Sequence, residues 1–244
     1  MGRIYLVVFS LLATSARMVF AECSAESGIS LQVLGSGGPE MTDRRASSGY
    51  LIWQHNKAVI LVDAGSGTAL NFERAGAKLT HLKAVLFTHF HVDHSVDFPS
   101  LVKASYFTHR AEDLAVYGPA GNQLMPPASE FIAGLLGEEG AYRYLKGYLK
   151  TDTDERYSIA VSDIPLTPRK THHFQLDQKT NISAVPVHHG PLPAVAWRVD
   201  IEGCSLTFSG DMSNQYNTLA ELAKGSDLLV AHNAIPEGMT GAGR

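Results

Sequence analysis

Cysteine is scarce in this chain. Cys23 and Cys204 are its only two, too few for a disulfide-built scaffold or a thiolate cage around a metal. A surplus of positive charge is also missing: 20 Lys and Arg face 24 Asp and Glu, a formal net charge of -4. That balance offers polyanions no general attraction, so nucleic acid is not expected as a partner. Beyond the first 21 residues no apolar run approaches the roughly 20 residues that a bilayer-spanning helix needs, and no internal repeat is visible. Multispan membrane proteins and basic nucleic-acid-binding modules are thereby set aside. What remains, at 244 residues with 45% apolar and 18% charged side chains, is one globular domain large enough to bury a two-sheet core.

The opening 21 residues stand apart. Arg3 precedes the apolar stretch Ile4 to Leu12, and Val19-Phe20-Ala21 puts small residues where a signal peptidase cuts. The reading is an export signal over 1–21 and a mature domain over 22–244, periplasmic or secreted, with no stable membrane span after cleavage. Thr14, Ser15 and Arg17 interrupt the stretch too early for an anchor, and Glu22 directly before Cys23 disfavours a lipidation site. Cleavage removes Arg3 and Arg17, leaving 18 basic against 24 acidic residues and a net charge of -6. Cys23 and Cys204 are able to pair in an oxidising compartment, but the expectation is a buried thiol at 204, inside an apolar strand, and a frayed one at 23.

Strands are expected at 30–34, 49–54 and 58–62, the last two joined at His55-Asn56-Lys57, and again at 83–87 and 114–117. Helices are expected at 66–76 and over 128–149, the second broken at Gly137 or Gly140. Strands at 158–164, 182–187, 194–201 and 205–208, a helix near 216–224 and a strand at 228–231 complete a second group. Two strand groups with interspersed helices predict an α/β fold, a four-layer αββα sandwich with its sheets face to face.

The chemistry concentrates at Thr88-His89-Phe90-His91-Val92-Asp93-His94. Histidine supplies a neutral nitrogen and aspartate a hard oxygen, both suited to zinc at neutral pH. In an extended loop residues two apart point the same way, so His89 and His91 share one metal while the following turn presents Asp93 and His94 to a second. A solvated polar loop explains one or two such residues but not four at this spacing. The loop follows the strand at 83–87, at the kind of strand end where α/β proteins place ligands. His55, His81 and His109 receive no role, and His172-His173 reads as exposed loop. The aromatic residues between Phe131 and Tyr148 read as core rather than as a substrate mouth.

His-x-His-x-Asp-His resembles the signature of the metallo-β-lactamase superfamily, and the resemblance runs over nearly the whole mature chain. It implies further roles. Asp63, in Leu61-Val62-Asp63-Ala64-Gly65, matches the aspartate that supports the histidine loop without binding metal; a helix N-cap is a compatible reading. His189, in Val187-His188-His189-Gly190-Pro191, matches the third histidine of the first metal, with His188 as its rival. Asp211, in Ser209-Gly210-Asp211, matches the aspartate bridging both metals, where β-lactamases mostly carry cysteine or serine. Leu34 to Pro39, Arg44 to Leu51, Tyr117-Gly118-Pro119 and Trp197-Arg198 are similar to the ribonuclease Z and arylsulfatase-like branch.

Two departures accompany the likeness. That branch carries a long arm between the third histidine and the bridging aspartate, whereas Gly190 to Gly210 is filled by little more than two strands. It also closes the second metal site with a histidine well beyond His232, and the sequence stops at Arg244, which reads as truncation, as a weakened second site or as a ligand supplied from elsewhere. The implied protein is an exported hydrolase with two zinc ions, the second weaker, cleaving a phosphodiester, sulfate ester, thioester or lactone with metal-activated water. Its expected partner is a small-molecule ester; a homodimer is compatible with the sequence. Asp93 is expected to orient the water and His232 to protonate the departing oxygen. The competing class is a non-catalytic metal- or partner-binding relative.

Overall fold

A computed structural model describes residues 23, 27–150 and 156–232; the expected signal over 1–21 and the stretch Gly238 to Arg244 lie outside the described residues. The first sheet contains β1 (Ile29–Gly35), β2 (Gly49–Gln54), β3 (Lys57–Val62), β4 (Ala84–Leu86), β5 (Leu114–Pro119) and β6 (Ile159–Ile164), in that spatial order. Its first three strands form an antiparallel meander and the rest run parallel. His55 and Asn56, with φ of 47° and 64°, make the tight turn between β2 and β3. The second sheet has the order β11 (Leu228–Val230), β10 (Cys204–Phe208), β9 (Val195–Ile201), β8 (Thr180–Pro186), β7 (His172–Asp177).

Alternation along the strands builds the layers. Ile60, Val62, Ala84 and Leu86 face the second sheet and meet Ile182, Ala184, Trp197, Val199 and Phe208. Leu61, Val85 and Phe87 face the other way, packing with Phe72 of α1 (Thr68–Arg74), Phe98 and Leu101 of α3 (Phe98–Ser105) and Ile132 of α4 (Ala128–Leu136). A one-turn α2 (Val92–Ser95) lies between α1 and α3 in the chain, and α5 (Leu219–Leu222) packs Leu222 on Val185 and Ala196 of the second sheet's outer face. The expected αββα sandwich results. The expected helix over 128–149 stops at Gly137 and continues as a 3-10 turn at Arg143–Leu149. Among the described residues no helix is long and apolar enough to cross a membrane.

Two expectations are corrected here. His172 and His173 open β7 instead of lying in a loop: Phe174 and Leu176 alternate toward the inter-sheet core, and the strand pairs antiparallel with β8. The cysteines are not separate thiols. Cys23 and Cys204 form a disulfide, because Ser27 and Gly28 lead into β1 beside the start of β10 and leave the two Cα atoms 4.5 Å apart.

The two sheets are stitched together beneath one edge. The Val195 amide donates to the Thr88 carbonyl at 2.9 Å, and the buried Trp197 indole donates to the Phe87 carbonyl at 2.9 Å. The end of β9 therefore holds the end of β4, where the histidine loop begins.

Candidate metal centre

All the predicted site residues sit in segments leaving the strands at this edge: Asp63 after β3, His89 to His94 after β4, His189 after β8, Asp211 after β10 and His232 after β11. Parallel strands ending side by side bring together residues far apart in sequence. Close backbone approach requires glycine twice. A Cβ on Gly65 would stand 1.9 Å from the Asp93 carbonyl oxygen, and one on Gly210, whose φ is +60°, would stand 2.7 Å from the Thr88 Cβ.

The histidine loop is organised from below by Asp63. Its carboxylate, fully buried, accepts from the Thr88 amide at 2.8 Å, the Thr88 hydroxyl at 2.8 Å and His94 Nδ1 at 2.7 Å. Asp63 is no helix cap, since the residue preceding α1 is Gly67. With its proton donated to Asp63, the Thr88 hydroxyl accepts from His89 Nδ1 at 3.1 Å, so His89 presents Nε2. His94 likewise presents Nε2, because its Nδ1 is committed to the carboxylate. Such outer carboxylate and hydroxyl partners fix tautomer and ring orientation in histidine metal sites.

Three ring nitrogens then converge: His89 Nε2 lies 3.1 Å from His91 Nδ1, which lies 3.3 Å from His189 Nε2. His89, His91, His189 and Asp211 bring ligand atoms within 4.8 Å of one another, as do His94, Asp211 and His232, so Asp211 belongs to both groups. Asp93, in the first turn of α2, stands beside the second group with Oδ2 3.6 Å from His94 Nε2. Of the rival histidines, His188 turns away: its Nδ1 meets the Ser213 hydroxyl at 2.7 Å and its ring packs on Tyr216.

Protonation follows burial and charge. Burial, reinforced by the charge on His94, pushes His89 down to about 2, and burial lowers His189 as well, leaving both rings neutral and free to ligate. At His94 burial opposes the charge, but the carboxylates of Asp63 and Asp211 overcome it and raise the pKa to about 10. Asp211 feels the same burial, yet hydrogen bonding to His232 and His94 holds its carboxyl well below the usual range. His232 Nδ1 lies 3.2 Å from Asp211 Oδ1, its backbone amide donates to the Ser209 hydroxyl at 2.9 Å, and its buried Nε2 has no partner among the described residues.

Asp93, His94, His189, Asp211 and His232 line an open cavity of about 550 Å³ whose opposite wall is Ser36 to Glu40, Arg45, Ser48 and Tyr50. Three contributors were not singled out as site residues in the sequence: Thr88, Ser209 and Tyr50. Thr88 adjoins His89 and Ser209 lies two residues before Asp211, so nearness along the chain was an available signal. Tyr50 had none, since β2 approaches His232 only through the fold.

Residues 42–243 match the metallo-beta-lactamase superfamily. The chain belongs to that superfamily. Its relatives include ribonuclease Z of Clostridium kluyveri, 28% identical over 171 residues, which cover 70% of this chain and 48% of the relative. Ribonuclease Z of Mycobacterium bovis is 28% identical over 211 residues, 85% of this chain and 70% of the relative. The chain thus spans about half the length of the Clostridium relative. Human tRNase Z, short form, shares the fold with a TM-score of 0.64 at 19% identity, covering 82% of this chain and 76% of that one.

These relatives overturn one expectation. The expectation of a small-molecule ester as partner, with nucleic acid not expected, rests on the acidic balance and the short interval from Gly190 to Gly210, yet the relatives carry the name of an RNA-cleaving enzyme. Net charge averages over the whole surface and does not describe one cavity. Between Gly190 and Gly210 lie a turn, β9, β10 and their connection.

Proposed function

We propose that the protein is a metal-dependent hydrolase of phosphodiester bonds in RNA, exported to an oxidising compartment and using two zinc ions. The observation that carries this reading is the sharing of Asp211, which lines the cavity, between two groups of ligand atoms. The donors fit the metal: neutral imidazoles and an ionised carboxylate are what zinc takes, and converging ring nitrogens at 3.1 and 3.3 Å favour a cation among them. His89, His91, His189 and Asp211 would hold the first ion; His94, Asp211 and Asp93, with His232 alongside, would surround the second. Bound there, such ions supply Lewis acidity and lower the pKa of water.

The chain's own groups supply the rest. Asp63 and Thr88 hold the histidine loop, Asp93 orients the attacking water, and His232 carries a proton for the departing oxygen. The Cys23–Cys204 disulfide supports export, because thiols persist reduced in the cytosol.

The test is elemental analysis of the purified protein together with turnover of bis-p-nitrophenyl phosphate, a short RNA, a sulfate ester and a thioester. Two zincs per chain, with metal-dependent cleavage of the phosphodiesters, is the expected result. Metal without turnover of any ester would mean a binding protein, and preference for the sulfate ester or thioester would remove RNA as substrate.

A further inference from the structure

Tyr50 has no part in the chemistry so far, yet its ring is the surface on which His232 rests. The two ring centroids are 5.3 Å apart with planes inclined at 40°, and Phe208 backs Tyr50 at 5.7 Å. Tyr50 is 5% exposed and lines the metal cavity alongside His232, Asp211 and His94. Its place is set by the sheet: in β2 it pairs with Val33 on one side and Val62 on the other, one residue before Asp63. Its hydroxyl is engaged by Ser48, and burial together with the Asp63 carboxylate raises it to about 12, so it stays a neutral phenol.

His232 needs such a support. The strand before it, β11, is three residues long and its first two residues, Leu228 and Leu229, are exposed, so the ring is anchored chiefly by its own contacts. Asp211 holds one ring nitrogen and Ser209 holds the backbone, but neither fixes the tilt of the imidazole about the Nδ1 bond. The face of Tyr50 does, together with the His94 ring 5.6 Å away.

We propose that Tyr50 is a positioning residue for leaving-group protonation, orienting the His232 imidazole by ring contact. This rests on the hydrolase reading above. In the step concerned, water oxygen forms a bond to phosphorus and the bond from phosphorus to the departing oxygen breaks. That oxygen takes the proton carried by His232, and the proton released by the water passes to solvent, from which His232 is reloaded. Misplacing the ring therefore harms poor leaving groups, which need the proton, and spares good ones, which do not.

The experiment compares wild type, Tyr50→Phe and Tyr50→Leu on methyl aryl phosphates whose leaving groups range from nitrophenol to phenol. Zinc content and thermal melting are measured in parallel, and histidine-ring NMR spectra of the metal-free proteins are recorded. A general acid supplies roughly a hundredfold or more. Tyr50→Leu should lose at least about tenfold in kcat on the phenol ester, at unchanged KM, while staying near wild type on the nitrophenol ester. Its His232 ring signal should shift or broaden. Tyr50→Phe, which keeps the ring and loses only the hydroxyl, should match wild type in all these measures. Equal losses on every ester, no loss on any, or an undisturbed His232 signal in Tyr50→Leu would overturn the proposal. Failure of wild type on every ester would instead overturn the hydrolase reading, and this inference with it.

Discussion

Asp63 Oδ2 accepts a hydrogen bond from His94 Nδ1 at 2.7 Å, with Asp63 fully buried and only 1% of the His94 side chain exposed. The same carboxylate takes both the amide and the hydroxyl of Thr88, so one side chain determines where the histidine loop starts and which nitrogen His94 shows the cavity. Asp63→Ala would leave three donors unmet in the interior. Breaking a buried pair costs about 3–5 kcal/mol, and urea denaturation of the metal-free variant should show a loss of that order. The milder Asp63→Asn keeps the shape, and zinc titration should find affinity reduced about 10- to 100-fold, as for other outer partners of metal-binding histidines. Undiminished zinc affinity in Asp63→Asn would refute this role.

The raised pKa of His94, about 10, makes metal loading pH-dependent. At neutral pH His94 carries a proton that a metal must displace, so zinc affinity should rise with pH toward about 10, and binding should release protons. Calorimetry in buffers of different ionisation enthalpy reads that release directly. The stability sign is opposite for the metal-free protein. A group whose folded-state pKa lies above its unfolded value stabilises fully below the ordinary histidine range of about 6.5, and that contribution fades as pH climbs to about 10. Proton-neutral zinc binding at pH 7 would contradict the assignment.

His188 and His189 are adjacent but face different partners, so their alanine variants should separate cleanly. His189→Ala removes one of three converging nitrogens and should lower zinc content and phosphodiesterase turnover together. His188→Ala releases only Ser213 and Tyr216 and should leave zinc content at the wild-type value. Elemental analysis decides; equal losses in both variants would mean that the pair acts as a unit.

The disulfide spans 181 residues of sequence and ties the segment before β1 to the second sheet. Closing so long a loop restricts the unfolded chain, and its removal by Cys204→Ala should cost about 2–5 kcal/mol. Thermal denaturation with and without reductant measures the effect. Wild type in strong reductant should approach the variant, while zinc content should hold, since Cys23 and Cys204 lie in neither ligand group. A melting temperature indifferent to reductant would show that the bond contributes nothing.

Most of this architecture was legible along the chain. The strand at 49–54 was placed residue for residue, and β9 and β11 within a residue, because alternating apolar residues between turn formers report a strand's buried face directly. The four donors from His89 to His94 announced a metal loop for the same local reason: their spacing alone puts them in one turn of chain. What local spacing leaves open is decided at a distance. The family resemblance already favoured His189 over His188 and gave Asp211 the bridging place; the turn after β8 and strands ending at a common edge bring these groups together, and the contact of Tyr50 with His232 joins β2 of one sheet to the segment after β11 of the other. The Cys23–Cys204 bond likewise needed the start of β1 to pass the start of β10. A sequence encodes period and chemistry within a few residues; which distant side chains meet depends on how the two sheets pack, and that packing is a property of the whole core.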